Sequence, residues 1–332
     1  MTRSTTRILA TLAAGTMMAG SAMAQDGDLT VGFAWNSKTQ PLEQAWEDYM
    51  LAEAERQGAE AGVDVEIVFN VADADPSRQQ SNVEDLLTRG VDIVAARAED
   101  AGAIGASIRA ARAANVPFIT FDRAAESVDP TAHVGGDSYD QALTTGRAFA
   151  ELMEAEGVTG QCIELQGALT DINAVNRSRG WNEVDAESDA FETIAQVPTE
   201  WNPELFRSGL ANALRANPEA NCAFIASDFA ITAVQSALEE AGRWAPAGEE
   251  GHFYLATQDL LPAAVPLMEQ GYIDVSTTYD AFKHAEEFIR VALALHAGED
   301  PGCGEDGCLA KGRVVTPATL ESTENLWSKT YQ

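Results

Sequence analysis

The sequence predicts an α/β protein of two lobes, each a parallel sheet wrapped by helices. Two observations carry that prediction. Short apolar runs rich in Val, Ile and Phe alternate with longer stretches of helical period. These units also form two successive βα series, one ending near Gly136 and the other following it. The 332 residues, 45% hydrophobic and 22% charged with 12 prolines, exclude disordered, fibrous and collagen-like classes and suffice for two lobes of about 150 residues each.

In chain order, the apolar runs at 29–34, 65–69, 92–95, 117–121, 162–166, 193–197, 222–226, 253–257 and 273–277 read as strands. Each is short, β-branched or aromatic, and bounded by polar residues or glycine. Helical period fills 42–61, 77–88, 101–114, 141–155, 230–241 and 281–297. Cap residues stand before several of these, as in Asp75-Pro76, Asp228 and Asp280. The paired glycines of His133-Val134-Gly135-Gly136-Asp137 suit a bend between the two series. No low-complexity linker separates them, so compact crossovers are expected rather than a flexible tether.

Arg3 and Arg7 precede an apolar stretch from Ile8 to Gly20, and Ala22-Met23-Ala24 forms an A-x-A pattern, which together read as a secretory signal peptide cleaved after Ala24. The stretch is short of a membrane span and carries Thr11 and Thr16. Export to the periplasm is therefore expected, and it makes the four cysteines candidates for two disulfides. The preferred pairing of the three possible is Cys303–Cys308, across a glycine-rich loop, with Cys162–Cys222, at the starts of two apolar runs that become neighbours in a parallel sheet. A metal site is not expected, since there is no C-x-x-C and histidine occurs four times in all, away from the cysteines.

Fifty-two acidic residues against 21 basic give a net charge of −31, which argues against nucleic acid and anionic membrane surfaces as partners. In open α/β sheets, ligands collect at the carboxyl ends of strands. Those ends are unusually polar and aromatic here. Trp35 and Lys38 follow the first strand, Arg97 the third, and Asp122 and Arg123 the fourth. In the second series come Gln166 with Asp171 and Asn173, then Trp201, Ser227 with Asp228, Gln258 with Asp259, and Tyr279 with Asp280. Carboxylates, guanidiniums, amides and indoles converging on one crevice suit a sugar, whose hydroxyls donate and accept while its C–H face stacks on an aromatic ring. The motifs G-x-S-x-G, H-E-x-x-H, G-x-x-x-x-G-K-[ST] and G-x-G-x-x-G are absent. Asp228 and Asp259 as an acid–base pair is disfavoured because arginine neighbours hold carboxylates ionised. Binding without catalysis, cofactor or metal is the expected activity.

These residues resemble the periplasmic sugar-binding proteins of ABC importers, of the ribose, galactose and galactofuranose type, over essentially the whole mature chain. The resemblance is carried by LTVGF at 29–33, NVEDLLTRG at 82–90 followed by VDI, VPFITFDR at 116–123, IELQG at 163–167 and FIASD at 224–228. It implies two Rossmann-like lobes joined by three crossovers near Gly136, Tyr279 and Lys311. The amino-terminal lobe would comprise 25–136 and 280–311, and the carboxyl-terminal lobe 137–279 and 312–332. It further implies that Asp122 and Arg123 bind sugar hydroxyls, that Asp259 is an acidic contact and that Trp201 stacks on the ring. Ser227 and Arg97 stand where the ribose binders have asparagine. Within NAVNRSRGW at 173–181, Arg177 matches the second of a pair of arginines and Val175 replaces the first. The ligand-binding set is thus Trp35, Lys38, Arg97, Asp122, Arg123, Asn173, Arg177, Trp201, Ser227, Asp228, Asp259 and Tyr279. Two points stay open at this level: whether Leu42 or Trp46 supplies the second stacking surface, and whether the sugar is neutral or acidic. The implied cycle is capture by a monomer, hinge closure and delivery to a membrane permease. A receptor for chemotaxis, sensor-kinase or autoinducer signalling on the same fold, and an exported carbohydrate-active enzyme, are the rival readings.

Overall fold

The computed structural model describes residues 27–331; the leader read at 1–24 lies outside them. The first sheet contains β1 (Leu29–Trp35), β2 (Val65–Val71), β3 (Ile93–Ala96), β4 (Phe118–Phe121), β5 (Ala132–Gly136) and β11 (Cys308–Ala310). Its order is β11-β5-β4-β3-β1-β2, parallel throughout. The second contains β6 (Gly160–Gln166), β7 (Phe191–Pro198), β8 (Cys222–Ile225), β9 (Tyr254–Asp259), β10 (Val275–Thr278) and β12 (Val314–Val315), ordered β12-β10-β9-β8-β6-β7. Only β12 runs antiparallel to its neighbour among these strands. These are the two Rossmann-like lobes, with mostly parallel sheets.

Period-two alternation decides which side chains enter the core. Along β1, Val31, Phe33 and Trp35 share one face and pack with Trp46 and Met50 of α1 (Pro41–Ala61) and Phe288 of α9 (Ala281–His296). In the second lobe, Phe149 of α4 (Ser138–Glu156) and Trp181 of α5 (Ile172–Glu187) cover one face of the sheet, Trp181 stacking on Phe191 and Phe224 with Phe149 tilted against it. Phe206, Leu210, Ile231 and Met268 close over its other face.

The chain passes between the sheets after β5, after β10 and between β11 and β12. The segment 133–137, read as a bend from its paired glycines, is largely strand: Gly135 and Gly136 pair with Leu309 and Ala310. The turn comes one residue later at Asp137, whose carboxylate caps α4 through the Asp140 N–H at 3.0 Å. Near the end of the chain, Leu326 belongs to the second core while Trp327 and Tyr331 pack on the first. The Trp327 indole N–H donates to the Tyr279 carbonyl at 2.6 Å, which ties this tail to the second crossover.

Both disulfides have the expected pairing. Cys162 lies opposite Cys222 in the β6–β8 register, which brings their Cα atoms to 4.4 Å, and Cys303 closes on Cys308.

Candidate functional site

The carboxyl ends of both sheets face each other across a narrow cleft, whose space between atoms, open solvent included, is about 350 Å³. Asp122 and Asp259, each just past or at the end of a strand, have φ of 62° and 87°. Aspartate tolerates this left-handed backbone better than most residues, and the turn swings each carboxylate toward the interlobe space. Two glycines allow close approach. A Cβ on Gly136 would lie 2.1 Å from the Tyr279 ring, and one on Gly167 would lie 2.0 Å from the Trp201 indole.

From the first lobe come Arg97, Asp122 and Arg123, with Leu42 and Trp46 of α1. The Arg97 Nε donates to Asp122 Oδ2 at 2.5 Å, and its Nη1 donates to Asn36 at 2.9 Å and Glu43 at 3.1 Å. Glu43 is itself fixed by the backbone N–H groups of Thr39 and Gln40, so the first loop and Arg97 are built together. The second lobe supplies Asp171, Asn173, Arg177, Trp201, Ser227, Phe229 and Asp259. Arg177 donates to Asp259 Oδ1 at 2.6 Å and to the Ala226 carbonyl at 2.7 Å, and the Ser227 hydroxyl donates to Asp259. Tyr279, at the second crossover, donates its hydroxyl to Asp122 and lies under the Arg177 guanidinium.

Several bonds cross between the lobes. Asn173 Nδ2 donates to Asp122 Oδ1 at 3.0 Å, Arg123 Nε lies 2.8 Å from Asp171 Oδ2, and the Ala101 N–H donates to the Thr170 carbonyl at 3.1 Å. Burial works against the charge on Asp122, yet Arg97 and Arg123 overcome it and hold its pKa down at about 2. Burial likewise opposes the charge on Arg97, but Asp122 and Glu43 raise its pKa above the ordinary arginine value. For Asp259 burial prevails over Arg177 and the carboxyl is pushed up.

Of the twelve residues expected at the site, nine line this cavity: Arg97, Asp122, Arg123, Asn173, Arg177, Trp201, Ser227, Asp259 and Tyr279. The other three do not. Trp35 ends β1 on the core face, fully buried beside Phe33 and parallel to Trp46 and Phe69, with its N–H on Glu47. Strand alternation places it there, since it continues the Val31–Phe33 row. Lys38 is drawn to the same Glu47 at 2.6 Å, away from the cavity. Asp228 lies behind the site, wholly buried, where it accepts the Leu261 N–H at 3.0 Å and faces the Thr257 hydroxyl at 3.1 Å. It opens a short 3₁₀ turn whose cap is Ser227.

Asp171 was legible only as a polar residue after β6. In the structure it stands one residue before α5 and caps it by accepting the Asn173 N–H, and it also faces the cavity. Gln40 and Phe229 carried no sequence signal for their place in the lining. Leu42 and Trp46 both line the cavity. The Trp46 ring has Arg97 over it, 5.5 Å from its centroid, and Trp35 stacked in parallel. Leu42 lines the cavity with 5% of its surface exposed.

A family model described as "Periplasmic binding protein domain" matches residues 33–300. The chain belongs to this family. Among curated relatives of this periplasmic binding protein, the ribose import binding protein of Escherichia coli strain K12 is 25% identical over 71% of this chain and 75% of its own length. The putative rhizopine-binding protein of Rhizobium meliloti is 27% identical over 72% and 76%. A solved ABC transporter solute binding protein from Bacillus halodurans, with bound myo-inositol, superposes with a TM-score of 0.78 at 23% identity, covering 92% of this chain and 99% of that one. At that identity the likeness shows the fold. Binding, not catalysis, is the activity that these homologues and fold neighbours share with this chain.

Proposed function

We propose that this periplasmic binding protein captures a small, uncharged polyhydroxy ligand, a monosaccharide or cyclitol, by closure of its lobes, and delivers it as a monomer to the permease of an ABC importer in the periplasm. One observation carries the ligand class. Two buried N–H groups of the lining, Trp46 Nε1 and Arg177 Nε, have no hydrogen-bond partner among the described residues. A buried donor left unmade costs about 1–3 kcal/mol, so these two, one from each lobe, call for oxygen acceptors on a ligand. Charge argues for a neutral one. The three guanidiniums are already matched by Asp122 and Glu43, Asp171, and Asp259, leaving no cation free for a carboxylate or phosphate. Leu42 and Trp201 offer apolar surface from opposite lobes to the C–H faces of a single ring. The ligands named for a relative and a fold neighbour, ribose and myo-inositol, are of this class.

A thermal-shift screen over pentoses, hexoses, cyclitols and uronic acids tests the reading. Neutral compounds should raise the melting temperature, since a ligand at 100 times its Kd adds about 2.7 kcal/mol. Trp201→Ala should weaken the best of them about ten- to hundredfold. A response confined to uronic acids, or none from the neutral series, refutes it.

A further inference from the structure

Asp171 holds three groups at once. Its Oδ1 accepts the Asn173 N–H of its own helix at 2.9 Å. Its Oδ2 accepts the Trp201 indole N–H at 2.9 Å and pairs with Arg123 of the other lobe at 2.8 Å. The carboxylate is 2% exposed and the guanidinium 6%. Trp201 is only partly buried, its ring lies over Gly167, and its aromatic neighbours, Phe206 and Phe229, are other than the first-lobe rings. Its one hydrogen-bonding group therefore rests on the carboxylate that joins the lobes.

We propose that Asp171 is a positioning residue that couples lobe closure to the placement of the Trp201 wall, through protein groups alone. When the lobes part, Arg123 moves away with the first lobe and water reaches the Asp171 carboxylate, competing with the indole N–H for the same oxygen. When they close, that water is excluded, and both the ion pair and the indole bond strengthen as the local dielectric falls. The two bonds from Asn173 to Asp122 and the Ala101–Thr170 bond close alongside it. A closed form held by these contacts is populated before any ligand arrives, and the wall against which a ring would stack is already in place in that form. The inference rests on the hinge-closure part of the proposed function, though not on the identity of the ligand.

The test is an interlobe distance measurement on the mature chain without added sugar, using spin labels introduced by Gln80→Cys and Asn212→Cys, both on exposed helical positions. Two separations are expected in the parent, with the short one well populated. Asp171→Asn should lower the closed-to-open ratio about tenfold, the loss of one charge-assisted contact. Trp201→Phe is the discriminating variant, because it removes an N–H whose partner lies within the second lobe and keeps an aromatic ring. It should also lower the ratio, and its effect should vanish in the Asp171→Asn background. If Asp171→Asn fails to fold by circular dichroism, Arg123→Lys replaces it in the same cycle. A parent showing only the open separation overturns the proposal. So does a Trp201→Phe ratio equal to the parent's, or additive effects in the double variant. A chain that gives any of these results and still responds to neutral sugars in the thermal screen loses this coupling and keeps its function.

Discussion

Asp122 and Asp228 are both buried aspartates near the ends of strands, and their surroundings drive them in opposite directions. Asp122 has Arg97 at 2.5 Å with Arg123 close by, and its pKa falls to about 2. Asp228 has hydroxyl and amide partners but no cation, so burial, aggravated by Asp259, pushes its carboxyl well up. The linkage signs follow. The depressed group stabilises the fold above the unfolded pKa near 3.8, and that contribution is lost as pH falls through about 2. The raised group contributes fully below its unfolded pKa and loses that contribution as pH rises through its folded one. Asp228→Asn keeps an acceptor for Leu261 and a polar partner for Thr257 while abolishing the titration. Urea denaturation should therefore show the variant gaining on the parent as pH is raised from 4 to 8, whereas Asp122→Asn should lose about 3–5 kcal/mol at neutral pH. Identical pH slopes for parent and Asp228→Asn would remove the burial argument. The same contrast explains what the sequence could reveal of the site. Which residues stand at strand ends was readable from the apolar runs, but the partner of each was not. Arg97, Asp122 and Glu43 meet across long chain separations. Trp35 was misplaced because its exposure depends on whether it ends a strand or begins a loop, a difference of one residue.

At the level of elements, the apolar runs located nine of the twelve strands among the described residues, and those missed share a physical cause. The strands β11 and β12 are three and two residues long and owe their pairing to edges completed by the crossovers, and β5 carries two glycines that read as a bend. The cysteine pairing was legible because strand starts in a parallel sheet lie side by side. The Cys162–Cys222 bond ties β6 to β8 in the middle of the second sheet and closes 60 residues, whereas Cys303–Cys308 closes 5. Chain-entropy arithmetic assigns about 4 kcal/mol to the longer loop and about 2 to the shorter. Cys162→Ala/Cys222→Ala should accordingly lower unfolding free energy more than Cys303→Ala/Cys308→Ala, as read by denaturant titration. Equal losses, or a larger one for the short loop, would mean that native packing around the sulfurs outweighs the constraint on the unfolded chain.

On the scale of the whole molecule, the two lobes are joined by short crossovers and face each other with complementary groups, Arg123 paired with Asp171 and the Asn173 amide donating to Asp122. A ligand drives such lobes together only through affinity that differs between open and closed forms. The unpartnered donors of Trp46 on one side and Arg177 on the other can reach one ligand together only when the lobes are closed. If, as proposed, a closed form is present at fraction f before binding, apparent affinity is reduced by that fraction alone. Small-angle scattering should show a radius of gyration that falls on adding the neutral sugar selected by the thermal screen. Asp122→Ala removes the acceptor shared by Arg97, Tyr279 and Asn173, and should weaken affinity and raise the ligand-free radius together. A profile unchanged by saturating ligand, in a parent that binds it, would make this a rigid binder and take hinge closure out of its mechanism.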